Sequence, residues 1–383
     1  MHKEKLLMTP GPTMVPPSVL ETLGRQIIHH RTKEFRNIFK DLNDSLKYIF
    51  QTQNHILTFS SSGTGAMESV IANLFSAGDK VVVASIGVFG DRFAKIAEAF
   101  GLNVDLISVE WGKAVDPQLI KQKLDDDKQN EIKAVIVTHN ETSTGVTNDI
   151  KAVGRIVSKT NKLFIIDAIS SIGGIDIQAD NWGIDVIVGS SQKALMTPPG
   201  LAFVSVSPKA WEAHKNSKLP KFYWNYSAYR KGLEQNMPDA PYTPAVTLMI
   251  AQNQAINLIK EEGLQNIFER HKRLAFATQA GAEALGLKLF PDKAVSSYII
   301  TAIKAPEGID TEEVRKIMNQ KYDIMVTGGQ QHLKGKIIRI GHCGYVDRFS
   351  LIKVFTAMEY ALKESGYPVE LGAGVSAVEK ALY

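Results

Sequence analysis

Short apolar runs alternate with amphipathic stretches from about residue 55 to residue 206. The runs are His55–Phe59, Lys80–Ser85, Asn103–Ser108, Ile132–Thr138, Leu163–Asp167, Ile184–Val188 and Leu201–Val206. Helical segments fall between most of them, at Gly65–Ala77, Asp91–Phe100, Pro117–Leu124 and Asp149–Lys159. Val- and Ile-rich runs separated by helices predict an α/β domain on a mostly parallel sheet, with strands buried on both faces. Ligands of such sheets sit at the carboxyl ends of the strands. The residues just after each run are therefore the place to look for chemistry.

The pattern breaks over 207–245, which is aromatic and irregular (KFYWNYSAYR) and then Pro-rich at Pro238, Pro241 and Pro244. Long helices are expected from Ala245 to about Glu262 and from Leu264 to about Leu285. The run Tyr298–Ile303, a helix near Thr311–Lys321, the run Lys336–Gly341 and a helix over Arg348–Glu364 follow. They read as a smaller α+β domain. At the other end, Pro10, Gly11, Pro12, Pro16 and Pro17 argue against helix or strand over 1–20 and for an ordered arm lying over the rest. The expected organisation is an arm at 1–20, a large domain at 21–255 and a small domain at 256–383. The tail GYPVELGAGVSAVEKALY suggests no role.

Composition narrows the function classes. The chain has 383 residues, 44% of them hydrophobic and 22% charged, so it has apolar surface enough for more than one packed core. A net charge of +4 without clustered Lys/Arg gives no case for nucleic-acid binding. One cysteine, Cys343, allows neither an intramolecular disulfide nor a multi-cysteine metal site. The His/Asp/Glu spacings fit no metal motif either. No apolar run reaches the ~18 residues of a membrane helix, and the start is not secretory in character, so a cytoplasmic protein is expected.

Three places after apolar runs carry chemistry. Ser60-Ser61-Ser62-Gly63-Thr64-Gly65 lies between a run and a helix, where small residues let backbone N–H groups approach a phosphate. It matches neither the dinucleotide fingerprint nor the Walker spacing, and a plain capped turn reads equally well. Asp167 closes the run LFIID and stands at the ligand edge, where turn-capping is the alternative. Lys193 follows IDVIVGSSQ, and is either a surface charge or a nucleophile able to form a Schiff base. Together a phosphate cup, a strand-end acid and a strand-end lysine are the parts that pyridoxal phosphate requires.

With those residues in hand, the chain resembles the class V aminotransferases of fold type I, near the alanine–glyoxylate and serine–pyruvate enzymes. The resemblance runs nearly end to end. It passes through Gly11-Pro12-Thr13, Ser62-Gly63-Thr64-Gly65, Gly87-Val88-Phe89-Gly90-Asp91-Arg92 and Thr138-His139-Asn140-Glu141-Thr142-Ser143-Thr144-Gly145. It continues through Asp167-Ala168-Ile169-Ser170-Ser171, Gly189-Ser190-Ser191-Gln192-Lys193 and Arg339-Ile340-Gly341.

The resemblance implies a role for each matching residue. Lys193 is the Schiff-base lysine and proton shuttle, and Asp167 the partner of the pyridine nitrogen. Phe89 stacks on the ring, and Thr142 lies near its phenolic oxygen. Ser62, Gly63, Thr64 and Gln192 hold the phosphate, joined by Thr243 from the neighbouring subunit. Arg339 clamps the substrate carboxylate. The activity implied is a ping-pong transfer of the amino group of serine or alanine to pyruvate or glyoxylate, in a homodimer with shared active sites. The Pro-rich arm and the segment 222–244 are the expected exchange surfaces. Alternatives are a class V lyase or desulfurase, which needs a nucleophilic cysteine before Arg339, and a nucleotide-binding dehydrogenase, which needs an acid after KVVVAS.

Overall fold

The computed structural model describes residues 4–383. Seven strands form the central sheet: β1 (His55–Ser60), β2 (Lys80–Ser85), β3 (Asn103–Ser108), β4 (Ile132–Thr138), β5 (Leu163–Asp167), β6 (Val186–Ser190) and β7 (Leu201–Val206). Their order is β1-β7-β6-β5-β4-β2-β3. All are parallel except β7, which runs antiparallel to both β1 and β6. The sheet is thus mostly parallel, as the pattern predicts.

The two-residue period of a strand sends alternate side chains to opposite faces. Val82 and Ala84 of β2 and Val135 and Val137 of β4 join one core with Phe35, Leu42 and Leu46. Val81, Val83, Ala134 and Ile136 join the other with Met67, Val70 and Phe93. Helices cover both faces. They are α1 (Pro17–Leu23), α2 (Lys33–Phe50), α3 (Gly63–Leu74), α4 (Val88–Ala99), α5 (Pro117–Asp125), α6 (Ile150–Val157), α7 (Pro208–Asn216), α8 (Tyr226–Leu233) and α9 (Val246–Glu262).

Two expectations are corrected. The arm is not free of regular structure. Leu6–Leu7 pair in parallel with Ile324–Met325, and α1 begins at Pro17. Proline is compatible with the first helical position because the N–H it lacks would have had no partner there. Nor is 207–245 irregular throughout. Ser207 caps α7, again with Pro at its start, and Asn225 caps α8. Residue 255 falls inside α9, which is continuous.

The C-terminal part carries an antiparallel sheet of β8 (Ile300–Lys304), β9 (Thr327–Gly328) and β10 (Ile337–Gly341), in the order β8-β10-β9. It packs with α10 (Leu264–Ala284), α11 (Thr311–Lys321), α12 (Arg348–Glu364) and α13 (Ala373–Leu382). The tail lies on this core. Gly281 of α10 leaves the room that Val378 and Phe355 fill, since a Cβ there would come within 2.7 Å of both. Gly372 offers α13 no capping side chain. Buried Glu359 caps it from α12, accepting from the N–H of Gly372 (2.6 Å), Gly374 (2.8 Å) and Val375 (3.1 Å). Glu359→Gln would turn an amide donor toward those donors. It is expected to cost about 1–3 kcal/mol, read as a lower denaturation midpoint of the apoprotein. An unchanged midpoint would refute the capping role.

Candidate active site

The carboxyl ends of β1, β2, β4, β5 and β6 lie along one edge of the sheet. From β2 the chain runs outward to β3, then returns to β4 and proceeds the other way through β5 and β6. That reversal between β2 and β4 opens a crevice at their ends, the usual ligand position in doubly wound sheets. Phe89 follows β2 and Thr142 follows β4, so both border it.

Ser62, after β1, caps α3, its hydroxyl accepting from Gly65 N at 3.3 Å. The N–H groups of Gly63 and Thr64 open the helix and have no preceding turn to bond. With the helix dipole they form an anion cradle. Gly63 is tight against the loop after β5: a Cβ there would meet Ile169 Cδ1 at 2.6 Å. The Arg92 guanidinium lies 4.8 Å from the Phe89 ring centroid and reaches Thr64 Oγ1 at 3.4 Å.

Asp167 is buried at the end of β5. Its Oδ1 accepts from Ile169 N at 2.9 Å, and among the described residues Oδ2 has no hydrogen-bond partner. Burial, helped by the charge of Glu141, pushes its carboxyl up to about 7. Lys193 and Arg92 act on it in the opposite sense. Burial lowers the Lys193 ammonium below the usual lysine range, which favours the free amine a nucleophile needs. Lys193 in turn feels the charges of Asp167, Arg339 and Arg92 and the Cys343 thiol, so these groups lie near one another.

The arm walls that pocket. Thr13 donates from its N–H to Gln192 O (3.2 Å) and from its hydroxyl to Lys193 O (3.0 Å). A Cβ on Gly11 would overlap Lys193 Cδ and lie 2.7 Å from Nζ. Gly11 also has a φ of +136°, a region closed to most side chains. Gln192 Oε1 is buried with no hydrogen-bond partner. Buried amide oxygens are ordinarily paired, so a polar group is expected against this side chain.

Arg339 comes in from β10. Its Nε donates to Gly328 O (2.8 Å) and Nη1 to Thr142 O (2.6 Å), while Nη2 has no partner among the described residues. Burial lowers it to about 10, so it stays cationic at neutral pH. Thr243 is exposed, on a loop pinned to its own chain by Arg31 and Arg36 on Asp239 (2.6 and 2.8 Å). The edge therefore brings together the expected site residues of the strand ends with Arg339, and the loop of Thr243 reaches the same edge, where Ala245 N donates to Ser60 Oγ at the end of β1 (2.9 Å). Gly11, Arg92 and Glu141 stand there too; the sequence places them in the resembling motifs but gives them no role. Their roles depend on contacts across chain segments far apart in sequence.

Cys343 is buried near Lys193, and burial pushes its thiol up to about 11, the reverse of an activated nucleophile. His139 is buried as well, bonded to Ser171 Oγ at 2.9 Å and kept neutral with a value of about 3.

The family model "Aminotransferase class-V" matches residues 6–359. A serine–glyoxylate aminotransferase of Arabidopsis thaliana is 38% identical, over 97% of this chain and 93% of that protein. A protein of Synechococcus sp. named as the small subunit of a soluble hydrogenase is 46% identical, over 100% of this chain and 99% of its own. The crystal structure of ureidoglycine–glyoxylate aminotransferase from Bacillus subtilis superposes with a TM-score of 0.95 at 30% identity, covering 100% of this chain and 98% of that one. Among the described residues no group of three His, Cys, Asp or Glu side chains could hold a metal ion.

Proposed function

This chain belongs to the class V aminotransferases, and from that premise we propose that it binds pyridoxal phosphate and transfers the amino group of serine or alanine to glyoxylate or pyruvate. Enzymes of this family and fold use that cofactor. The observation that carries the reading is the placement of Lys193 and Asp167 at neighbouring strand ends beside the anion cradle of α3, with Arg339 reaching in from β10 to bond Thr142 O. The residues fit the group. The cradle's free N–H groups suit a phosphate, the open Oδ2 of Asp167 suits a protonated ring nitrogen, and Phe89 offers a stacking face.

When bound, the cofactor supplies an electron sink for the substrate's α-carbon. Arg339 holds the substrate carboxylate with its remaining donors, an arrangement for which a planar guanidinium is suited. Lys193, lowered toward its neutral form, takes the α-proton and returns it on the other side of the transfer. Asp167 keeps its charge against the ring nitrogen once a cation lies beside it. The arm at Gly11 and the buried Thr142 narrow the pocket and limit water.

The test is an absorbance spectrum of the purified protein before and after L-serine or L-alanine. A band at ~420 nm that moves to ~330 nm on adding the amino acid is expected. Absence of any band after adding pyridoxal phosphate would defeat the reading. A band that never moves would favour lyase chemistry. Arg339→Lys is expected to raise KM for the amino acid by about 10–100-fold, with kcat less affected, because one ammonium cannot bond Gly328, Thr142 and a carboxylate as a fork does. Equal KM values would remove the clamp from Arg339.

A cytoplasmic homodimer with shared active sites belongs to the same proposal. The single, buried thiol of Cys343 is in keeping with the cytoplasm. An aromatic surface supports the second copy. Phe222 is 80% exposed and Tyr223 is 37% exposed, both ringed with Tyr242 beside Thr243. A monomer in sedimentation equilibrium, with cofactor bound, would overturn it.

A further inference from the structure

Glu141 lies just past β4 with no surface open to solvent. A carboxylate in that position needs donors on every side. Oε2 accepts from Phe89 N (2.9 Å) and Gly90 N (3.1 Å). Oε1 accepts from Ser143 N (3.1 Å) and Ser143 Oγ (2.6 Å). Ser143 Oγ itself accepts from Val88 N at 3.0 Å. Burial pushes the Glu141 carboxyl up, and these four donors oppose the shift.

The donors identify what Glu141 does. Helix α4 starts at Val88, and Gly87 before it has no side chain to close the first turn. Glu141 closes it from a different strand end, where the helix dipole favours an anion. Gly87 is the residue that lets it in. A Cβ there would overlap Ser143 Oγ and lie 2.5 Å from Glu141 Cγ and 2.7 Å from Cδ. The Gly87 backbone is extended, so space and not backbone strain demands glycine.

Glu141 is also bound to the other wall of the pocket. The next residue, Thr142, gives its carbonyl to Arg339 Nη1. Arg339 and Asp167 both feel the Glu141 charge. One carboxylate thus joins the turn bearing Phe89 to the loop that holds the guanidinium.

We propose that Glu141 is a positioning residue of this site, setting Phe89 against the cofactor ring and Arg339 toward the substrate carboxylate. The proposal rests on the pyridoxal-phosphate reading above. Glu141→Gln keeps the shape but turns an amide NH2 toward the N–H groups of Phe89 and Gly90. Apoprotein carrying it should retain the far-ultraviolet circular dichroism of wild type. It should bind pyridoxal phosphate about 10-fold more weakly in a fluorescence titration, and the circular dichroism of the bound cofactor's visible band should fall by about half. KM for the amino acid should rise by about 10-fold, more than kcat falls. Glu141→Asp, with the charge kept on a shorter stem, should recover part of each change.

Wild-type affinity and wild-type visible dichroism in Glu141→Gln would overturn the proposal, whatever its melting temperature. If that variant does not fold, Ser143→Ala decides. It removes one donor to Glu141 and the link to Val88, and it must move the same readouts in the same direction by about 3-fold. No movement there would also overturn the proposal. A wild-type protein without a cofactor band would sink the reading beneath it, which separates the two failures.

Discussion

Lys193→Ala is expected to lower turnover by at least ~10⁴-fold, the largest loss of any single substitution in this chain. Lys193 has two tasks, nucleophile and proton carrier, and alanine performs neither. The cradle at α3 does not depend on it, so the variant should still bind pyridoxal phosphate, more weakly and without the ~420 nm band. Stability should move the other way. Burial lowers the Lys193 ammonium, so the folded apoprotein bears a cost for holding it, and alanine removes that cost. Melting of the apoprotein should therefore be unchanged or higher. Lys193→Arg separates charge from chemistry. It keeps a cation, but a guanidinium does not deprotonate at neutral pH, and its bulk would press on Gly11. It should be as inactive as the alanine variant. Turnover within ~10-fold of wild type in either variant would remove Lys193 from the reaction.

The fold was most legible where strands are buried on both faces. β2, β4, β5 and β7 lie where their apolar runs begin and end, and so does β3, although it is a half-exposed edge strand. β6 is displaced toward Ser190, because Gly189 and Ser190 carry no apolar signal yet pair with Phe203 and Ala202. α2 was legible and went unassigned. Its buried positions Phe35, Phe39, Leu42, Leu46 and Ile49 repeat at spacings of four and three behind the capping Thr32. α1, α7 and α8 lay under prolines and aromatics that read as loop, although Pro at the first turn is compatible with a helix.

The site divides in a similar way. Asp167 and Lys193 stand at strand ends, so periodicity finds the positions and residue chemistry ranks them. Arg339 comes from a separate sheet, and only the family resemblance connects it to the other two. Glu141 and Gly11 stand in motifs that carry the resemblance, but they act through donors and space supplied by segments remote in sequence, so their roles are not legible locally. Thr243 is expected to act on a second chain, which a single chain does not display.

Asp167→Asn should reverse the usual relation between stability and function. The Asp167 carboxyl is raised from 3.8 to about 7 by burial, so the folded state holds its proton more tightly than the unfolded chain does. The neutral form is the one the fold favours. Its contribution to the stability of the apoprotein is complete below about pH 4 and is lost as the pH rises toward 7. At pH 8 the buried charge is a burden, and asparagine removes it. Apo Asp167→Asn should then exceed apo wild type in stability at pH 8, on the order of 2–4 kcal/mol. The difference should shrink as pH falls to 4–5, a slope that urea denaturation at several pH values measures. Cofactor binding should respond oppositely. A cationic ring nitrogen against Oδ2 offsets the cost of the buried charge, whereas a neutral amide cannot hold that proton in place. Affinity for pyridoxal phosphate should fall by at least ~10-fold, and kcat/KM by at least ~100-fold. A variant less stable than wild type at pH 8 would show that burial does not govern Asp167. Wild-type turnover would show that its charge serves no ring nitrogen. Both gains and both losses together would mean that the fold bears a buried acid at its own expense, for the cation it receives.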